Sequence, residues 1–191
     1  MSPDPGRPRR PTYAERRARR AAIDDPGEVL DAAARYLEVR PRAVAEVRRR
    51  LADAGYRADL VELAVTRLID LGILDDEAFG RAWVESRDRA HPRGEAALRR
   101  ELRQKGLDPA LVDRLLDERR DGDGEESRSA DADEQAAGRL LDRNRRSLER
   151  VVDPRVRRQR AYALLARHGF DPGTASDAAR RFAAGSGEDG D

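Results

Sequence analysis

The chain has 191 residues, of which 40% are charged and 38% hydrophobic, with only 4% aromatic and a formal net charge of +1. Alanine supplies much of the apolar share, which disfavours one thick core and favours a thin stack of helical units, each burying a narrow stripe against its neighbour. Cysteine is absent, so disulfides and thiolate chemistry are excluded; with no long apolar run and a Pro- and Arg-rich start in place of an apolar signal region, a cytoplasmic protein without membrane contact is expected.

Residues 1–24 read as a flexible basic arm with helical tendency near Tyr13 to Ala22. The first trio of helices spans 25–72. Asp25 is placed to cap it, Pro26 suits the first helical position, and Glu28 stands three residues after the cap. Its first helix carries Val29, Leu30, Ala33, Tyr36 and Leu37 on one side and ends before Pro41. A second helix runs from Ala43 to Ala54 with Val44, Val47 and Leu51 on its apolar stripe, and a third from about Asp59 to Leu71 stops at Gly72. The second trio, 73–120, repeats the order. A helix from Asp75 or Asp76 carries Phe79, Trp83 and Val84 and breaks at His91-Pro92. Gly94 to Lys105 forms the middle helix, and Asp108-Pro109 opens the last. An acidic linker at 121–132 is too poor in apolar residues to fold. The third trio, 133–184, has helices from about Asp133 to Arg150, from Pro154 to His168, and from Asp171-Pro172 through Phe182, before a disordered acidic tail at 185–191. No run alternates as a strand does, so an all-α fold of three tandem three-helix repeats in an elongated, curved stack is expected.

One segment fixes the register of these repeats. Leu51-Ala-Asp-Ala-Gly55-Tyr56 recurs as Leu102-Arg-Gln-Lys-Gly106-Leu107 and as Leu165-Ala-Arg-His-Gly169-Phe170. A leucine four residues before a glycine, with a large apolar residue after it, is the signature of a helix ending in a left-handed turn. Gly55 and Gly106 are 51 positions apart and Gly106 and Gly169 are 63 apart, the surplus of 12 matching the acidic linker. Arg40-Pro41-Arg42 and His91-Pro92-Arg93 keep the same offset from Gly55 and Gly106.

The near-zero net charge hides strong segregation. Seven arginines stand against Asp4 and Glu15 in residues 1–20, seven acids against Arg128 in 121–134, and ten arginines against three acids in 138–168. Catalysis finds little footing. His91 and His168 each stand beside a helix terminus, where an imidazole serves exposed carbonyls. Asp121-x-Asp123-x-Glu125 opens like a calcium loop, but Glu126 and Ala132 occupy the positions that need Gly and a bidentate Glu, and no phosphate loop is present. No metal or cofactor is implied, and no enzyme. Phe79 and Trp83, four apart on a helix, read as core. The basic helix faces remain: Arg93, Arg99, Arg100, Arg103 and Lys105 in the second trio, and Arg155, Arg157, Arg158 and Arg160 in the third, are the candidate partner-binding residues, because a guanidinium fork suits phosphates and carboxylates.

The stretch Leu74-Asp75-Asp76-Glu77-Ala78-Phe79-Gly80-Arg81-Ala82-Trp83-Val84-Glu85-Ser86-Arg87, then Arg93-Gly94, then Leu98-Arg99-Arg100-Glu101-Leu102-Arg103-Gln104-Lys105-Gly106-Leu107, closely resembles the RecX family of bacterial recombination regulators. The resemblance is strong over 72–118, fair over 27–71 and weak after 130. It implies tandem three-helix repeats and a monomeric, non-enzymatic regulator that binds the RecA recombinase and its filaments on single-stranded DNA, restraining strand exchange, ATP turnover and co-protease activity. Single- or double-stranded DNA is a further partner compatible with the arginine faces. The runner-up reading is a helical-repeat DNA-binding protein that acts without RecA, and the third a generic helical scaffold.

Overall fold

The computed structural model describes residues 9–121 and 132–185. The expectations for residues 1–8 of the arm, 122–131 of the acidic linker and 186–191 of the acidic tail lie outside them, while Asp121, Ala132 and Gly185, expected in linker and tail, stand at helix ends. Among the described residues the secondary structure is helical, with no strand. In chain order the helices are α1 (Tyr13–Ala21), α2 (Pro26–Leu37), α3 (Val44–Ala54), α4 (Ala58–Asp70), α5 (Asp76–Ala90), α6 (Glu95–Lys105), α7 (Pro109–Asp121), α8 (Ala132–Glu149), α9 (Pro154–Arg167) and α10 (Pro172–Gly185). The chain divides into two compact units, residues 1–76 and 77–191.

Helix starts and stops follow local chemistry. Four helices open on Asp-Pro: Asp25, Asp108, Asp153 and Asp171 accept the amides of Gly27, Ala110, Arg155 and Gly173 at 2.8, 2.9, 2.8 and 2.8 Å. The proline after each lacks the amide that would otherwise stay unpaired. The recurring leucine–glycine segment is one motif in all three places. Gly55, Gly106 and Gly169 have φ of 102°, 91° and 83°. The amides of Tyr56, Leu107 and Phe170 each reach back to the carbonyl of Leu51, Leu102 and Leu165 at 3.3 Å. Left-handed backbone at these points favours glycine, and the back-bond seats the apolar residue that follows.

In the first unit α2 and α3 pack on α4 around Val29, Ala33, Val47, Leu51, Leu60, Ala64, Val65 and Leu68. Within the stretch expected to be a flexible arm, residues 13–21 form α1, opened by a full capping box in which Thr12 and Glu15 exchange bonds. α1 is tied to α3: the Tyr13 hydroxyl donates to the Asp53 carbonyl at 2.9 Å and Arg20 Nη1 to the Ala54 carbonyl at 3.3 Å. The sequence shows this helix only as a tendency near Tyr13 to Ala22, because none of its residues is buried and its anchors are polar.

The second unit holds α5–α10. Phe79, Val84, Leu98, Leu102, Leu107, Val112, Leu115 and Leu116 are buried in the α5–α7 part, and α8–α10 enclose Ala136, Leu140, Leu141, Leu148, Ala161, Leu165, Phe170 and Phe182. Polar ties join these two parts. Arg119 on α7, with only 8% of its side chain exposed, pairs with Asp88 on α5 at 2.9 Å and with Asp133 on α8 at 2.6 Å. Burial alone would lower the Arg119 pKa, but hydrogen bonds to Asp88 and Asp133 outweigh it and raise the value. The other carboxylate oxygen of Asp133 accepts the Glu95 amide at the start of α6, at 3.0 Å. Arg143 on α8 donates to the carbonyls of Arg89 and Ala90, which end α5. Where α6 begins, the Gly94 amide donates to the His168 carbonyl at 3.1 Å, and a Cβ on Gly94 would stand 2.2 Å from the Gly169 carbonyl oxygen. Only a glycine permits that backbone-on-backbone approach.

Candidate partner-binding faces

The α6 face is built around Trp83 and Glu101 in the second unit. The indole N–H donates to Glu101 Oε2 at 3.0 Å, and Arg87 Nε donates to the same oxygen at 2.7 Å. Arg87 and Lys105 both lie over the indole, at 4.4 and 4.8 Å from its centroid, while Phe79 stacks against it at 5.9 Å. Trp83 is half-buried, so the reading of the aromatic pair as core holds for buried Phe79 and needs correction for Trp83. Its N–H needs an acceptor, and a carboxylate supplied from α6 draws the ring to the edge of the core.

Several neighbouring groups sort the predicted cations. Arg93 approaches Glu101 at 3.5 Å as a charge contact. Arg99 is engaged twice, with Glu95 at 2.8 Å and Asp113 at 3.2 Å. Burial opposes its charge, but the hydrogen bonds to both acids prevail and its pKa is raised. Lys105 is held over the indole. Arg100 and Arg103, one helical turn apart, are exposed and have no ion-pair partner among the described residues.

The four arginines of α9 divide similarly. Arg157 points back into the chain, donating from Nε to the Val151 carbonyl at 3.0 Å and from Nη2 to that of Val152 at 3.5 Å. Arg155 and Arg158 are exposed and, with Gln159, Tyr162 and the α10 residues Ser176 and Ala179, line a concavity of about 350 Å³. Arg160 is exposed outside that lining. His168 donates from Nδ1 to the Leu164 carbonyl at 2.9 Å, at the end of α9, and His91 is exposed just past α5. Sequence reasoning passed over Glu101 and Asp113, which engage Arg93 and Arg99, and Asp133, which engages Arg119. The i, i+4 spacing of Glu95 and Arg99 is a legible signal, whereas Asp113 and Asp133 act from other helices.

Fold and faces together define a class: an all-helical protein of tandem three-helix domains whose surface arginines are divided between internal carboxylates and solvent. Among the described residues no helix is long and apolar enough to cross a membrane. Residues 30–68 match the family model described as RecX, first three-helix domain, and residues 75–116 that of RecX, second three-helix domain. The regulatory protein RecX of Mycobacterium sp. (strain KMS) is 34% identical over 143 residues, covering 75% of each chain. That of Streptomyces lividans is 35% identical over 146 residues, covering 74% of this chain and 72% of its own. The crystal structure of RecX from Lactobacillus salivarius superposes with a TM-score of 0.65 at 18% identity, covering 83% of this chain and 97% of that one. A second crystal structure, of regulatory protein RecX, gives 0.61 at 19% identity over 85% of this chain and 70% of that one. The chain belongs to the RecX family, a family of regulatory proteins.

Proposed function

We propose that this chain binds RecA and RecA filaments on single-stranded DNA and restrains recombinase, ATPase and co-protease activity. Family membership supports the partner, and the division of the arginines supports the mode. An arginine already facing two carboxylates, as Arg99 does, has little to offer an incoming anion. Arg100 and Arg103 on α6 and Arg155 and Arg158 on α9 retain their forks for a partner's acids or for the filament's phosphates. The single observation that carries the reading is this outward, unpaired set on helices whose neighbouring cations are spent internally. Regulation then needs no bond-making by this chain, since binding alone, repeated along a filament, changes what the filament does.

The test is RecA ATP hydrolysis on single-stranded DNA, with and without this protein. A fall in turnover that saturates with added protein is expected, and unchanged turnover at saturating amounts rejects the RecA reading. The α9 concavity, with two arginines beside Tyr162 and Ser176, also favours phosphate contact without RecA. If about three phosphates are engaged, duplex affinity measured alone should fall about 40-fold between 50 and 200 mM salt.

A further inference from the structure

We infer that the cleft between α1, α2 and α3 in the first unit is a binding site for single-stranded nucleic acid. Arg20, Arg35 and Arg50 stand around it with Tyr36 and Tyr56, over a floor of Ala32, Ala54 and Leu51, and it encloses about 260 Å³. No acid lines it. This sets it apart from the rest of the unit, where Arg48 pairs with Glu62 at 2.9 Å and Arg57 with Asp24 at 2.5 Å and Asp59 at 2.6 Å. The cleft arginines have no carboxylate partner among the described residues. Aromatic rings hold two of them instead: Arg20 lies 5.7 Å from the Tyr56 centroid and Arg50 5.5 Å from that of Tyr36, which Arg42 also approaches at 4.4 Å. Guanidinium groups oriented by rings keep their full charge and most of their donors, at a small cost in side-chain freedom when a phosphate arrives.

The lining chooses among anions. An acidic peptide would use the charges and leave the apolar floor and ring faces idle. A nucleotide uses all three: phosphate oxygens on the forks, and a base on the floor or on a guanidinium or tyrosine plane. A duplex keeps its bases stacked inside and cannot present one to a cleft of this size. α1 extends the site, since Arg16, Arg17 and Arg19 on it are exposed and its docking through Tyr13 and Arg20 fixes it beside α3. The site does not depend on RecA being the partner.

The experiment titrates the full chain, without RecA, into a short fluorescein-labelled oligodeoxythymidine and follows anisotropy. Replacing both Arg35→Ala and Arg50→Ala should weaken binding about tenfold or more. It should also lower the slope of log affinity against log salt by about 1.4, two contacts at the single-strand value. Arg35→Lys with Arg50→Lys should keep the slope yet bind more weakly than the parent, because an ammonium lacks the planar fork. An equal-charge control, Arg67→Ala with Arg146→Ala, should bind as the parent does, and polyglutamate should not displace the oligonucleotide. Parent-like binding by the Arg35/Arg50 alanine variant, an equal loss in the control, or displacement by polyglutamate would each overturn the proposal.

Discussion

At the scale of single residues, burial and charge partners decide what a substitution does. Leu102 is fully buried where α6 closes, so Leu102→Ala should cost about 2–5 kcal/mol in a urea titration, as truncations in packed cores do. Asp76 accepts the Val44 amide at 2.9 Å, and burial pushes its carboxyl above the ordinary value even though that bond pulls it down. The folded chain therefore holds this proton more tightly than the unfolded one, and stability falls as pH rises through the window above the usual carboxylate range. Asp76→Asn keeps an acceptor for Val44 without the buried charge. The variant should match the parent in acid and become the more stable of the two toward neutral pH, read by denaturation at a series of pH values. Leucine and glycine positions were legible in the sequence because local backbone geometry fixes them. The fate of Arg99 was half legible, since Glu95 lies one turn away while Asp113 comes from the next helix. Trp83 was misplaced because periodicity reports which face a ring is on and is blind to an acceptor such as Glu101.

At the scale of elements, the helices differ in where their caps come from. α2, α7, α9 and α10 carry their own aspartate. α3 and α6 begin after Ala43 and Gly94, which offer no side-chain cap. The first amide of each is instead bonded by a distant aspartate: Asp76 for Val44 and Asp133 for Glu95. Self-capping was readable from Asp-Pro pairs, whereas borrowed capping is a tertiary fact with no local signature. The two kinds should fail differently. Asp171→Ala removes a surface cap and should cost about 0.5–2 kcal/mol. Hydrogen bonds from Thr174, its side chain first, and from the Gly173 amide hold the Asp171 carboxyl below its ordinary range. Its contribution is thus present at neutral pH and lost as acid protonates it, so the gap between variant and parent should close in acid thermal melts. Asp133→Ala removes a cap and strands the buried Arg119 guanidinium with Asp88 alone. A loss of about 3–5 kcal/mol is expected by urea denaturation. α1 was foreseen only as a tendency, because its hold on α3 runs through Tyr13 and Arg20 and leaves no apolar stripe to read.

At the scale of the whole molecule, the all-α fold was legible because helix ends and apolar stripes recur, and the family because residues 74–107 carry its resemblance, with which the RecX domain matches over 30–68 and 75–116 agree. The candidate faces were legible only as lists of cations. Arg93 meets Glu101, Arg99 meets Glu95 and Asp113, Lys105 lies over the Trp83 indole and Arg157 donates to carbonyls, which leaves Arg100, Arg103, Arg155, Arg158 and Arg160 as the outward cations. Arg100→Ala with Arg103→Ala should leave the far-ultraviolet circular dichroism unchanged and raise by about tenfold the amount of protein needed to halve RecA ATP hydrolysis. Undiminished potency would remove α6 from the interface. The loan of Asp133 to α6 reaches further than one bond. A gene fragment stopping after residue 121 would encode every apolar side chain of α5–α7 and still omit the acceptor for Glu95, the second counter-ion of Arg119 and the clasp that Arg143 places on α5. Expressed by itself, such a piece should keep its first unit folded while its α5–α7 part becomes fluid and poorly cooperative, read as a weakened near-ultraviolet circular dichroism signal from Trp83.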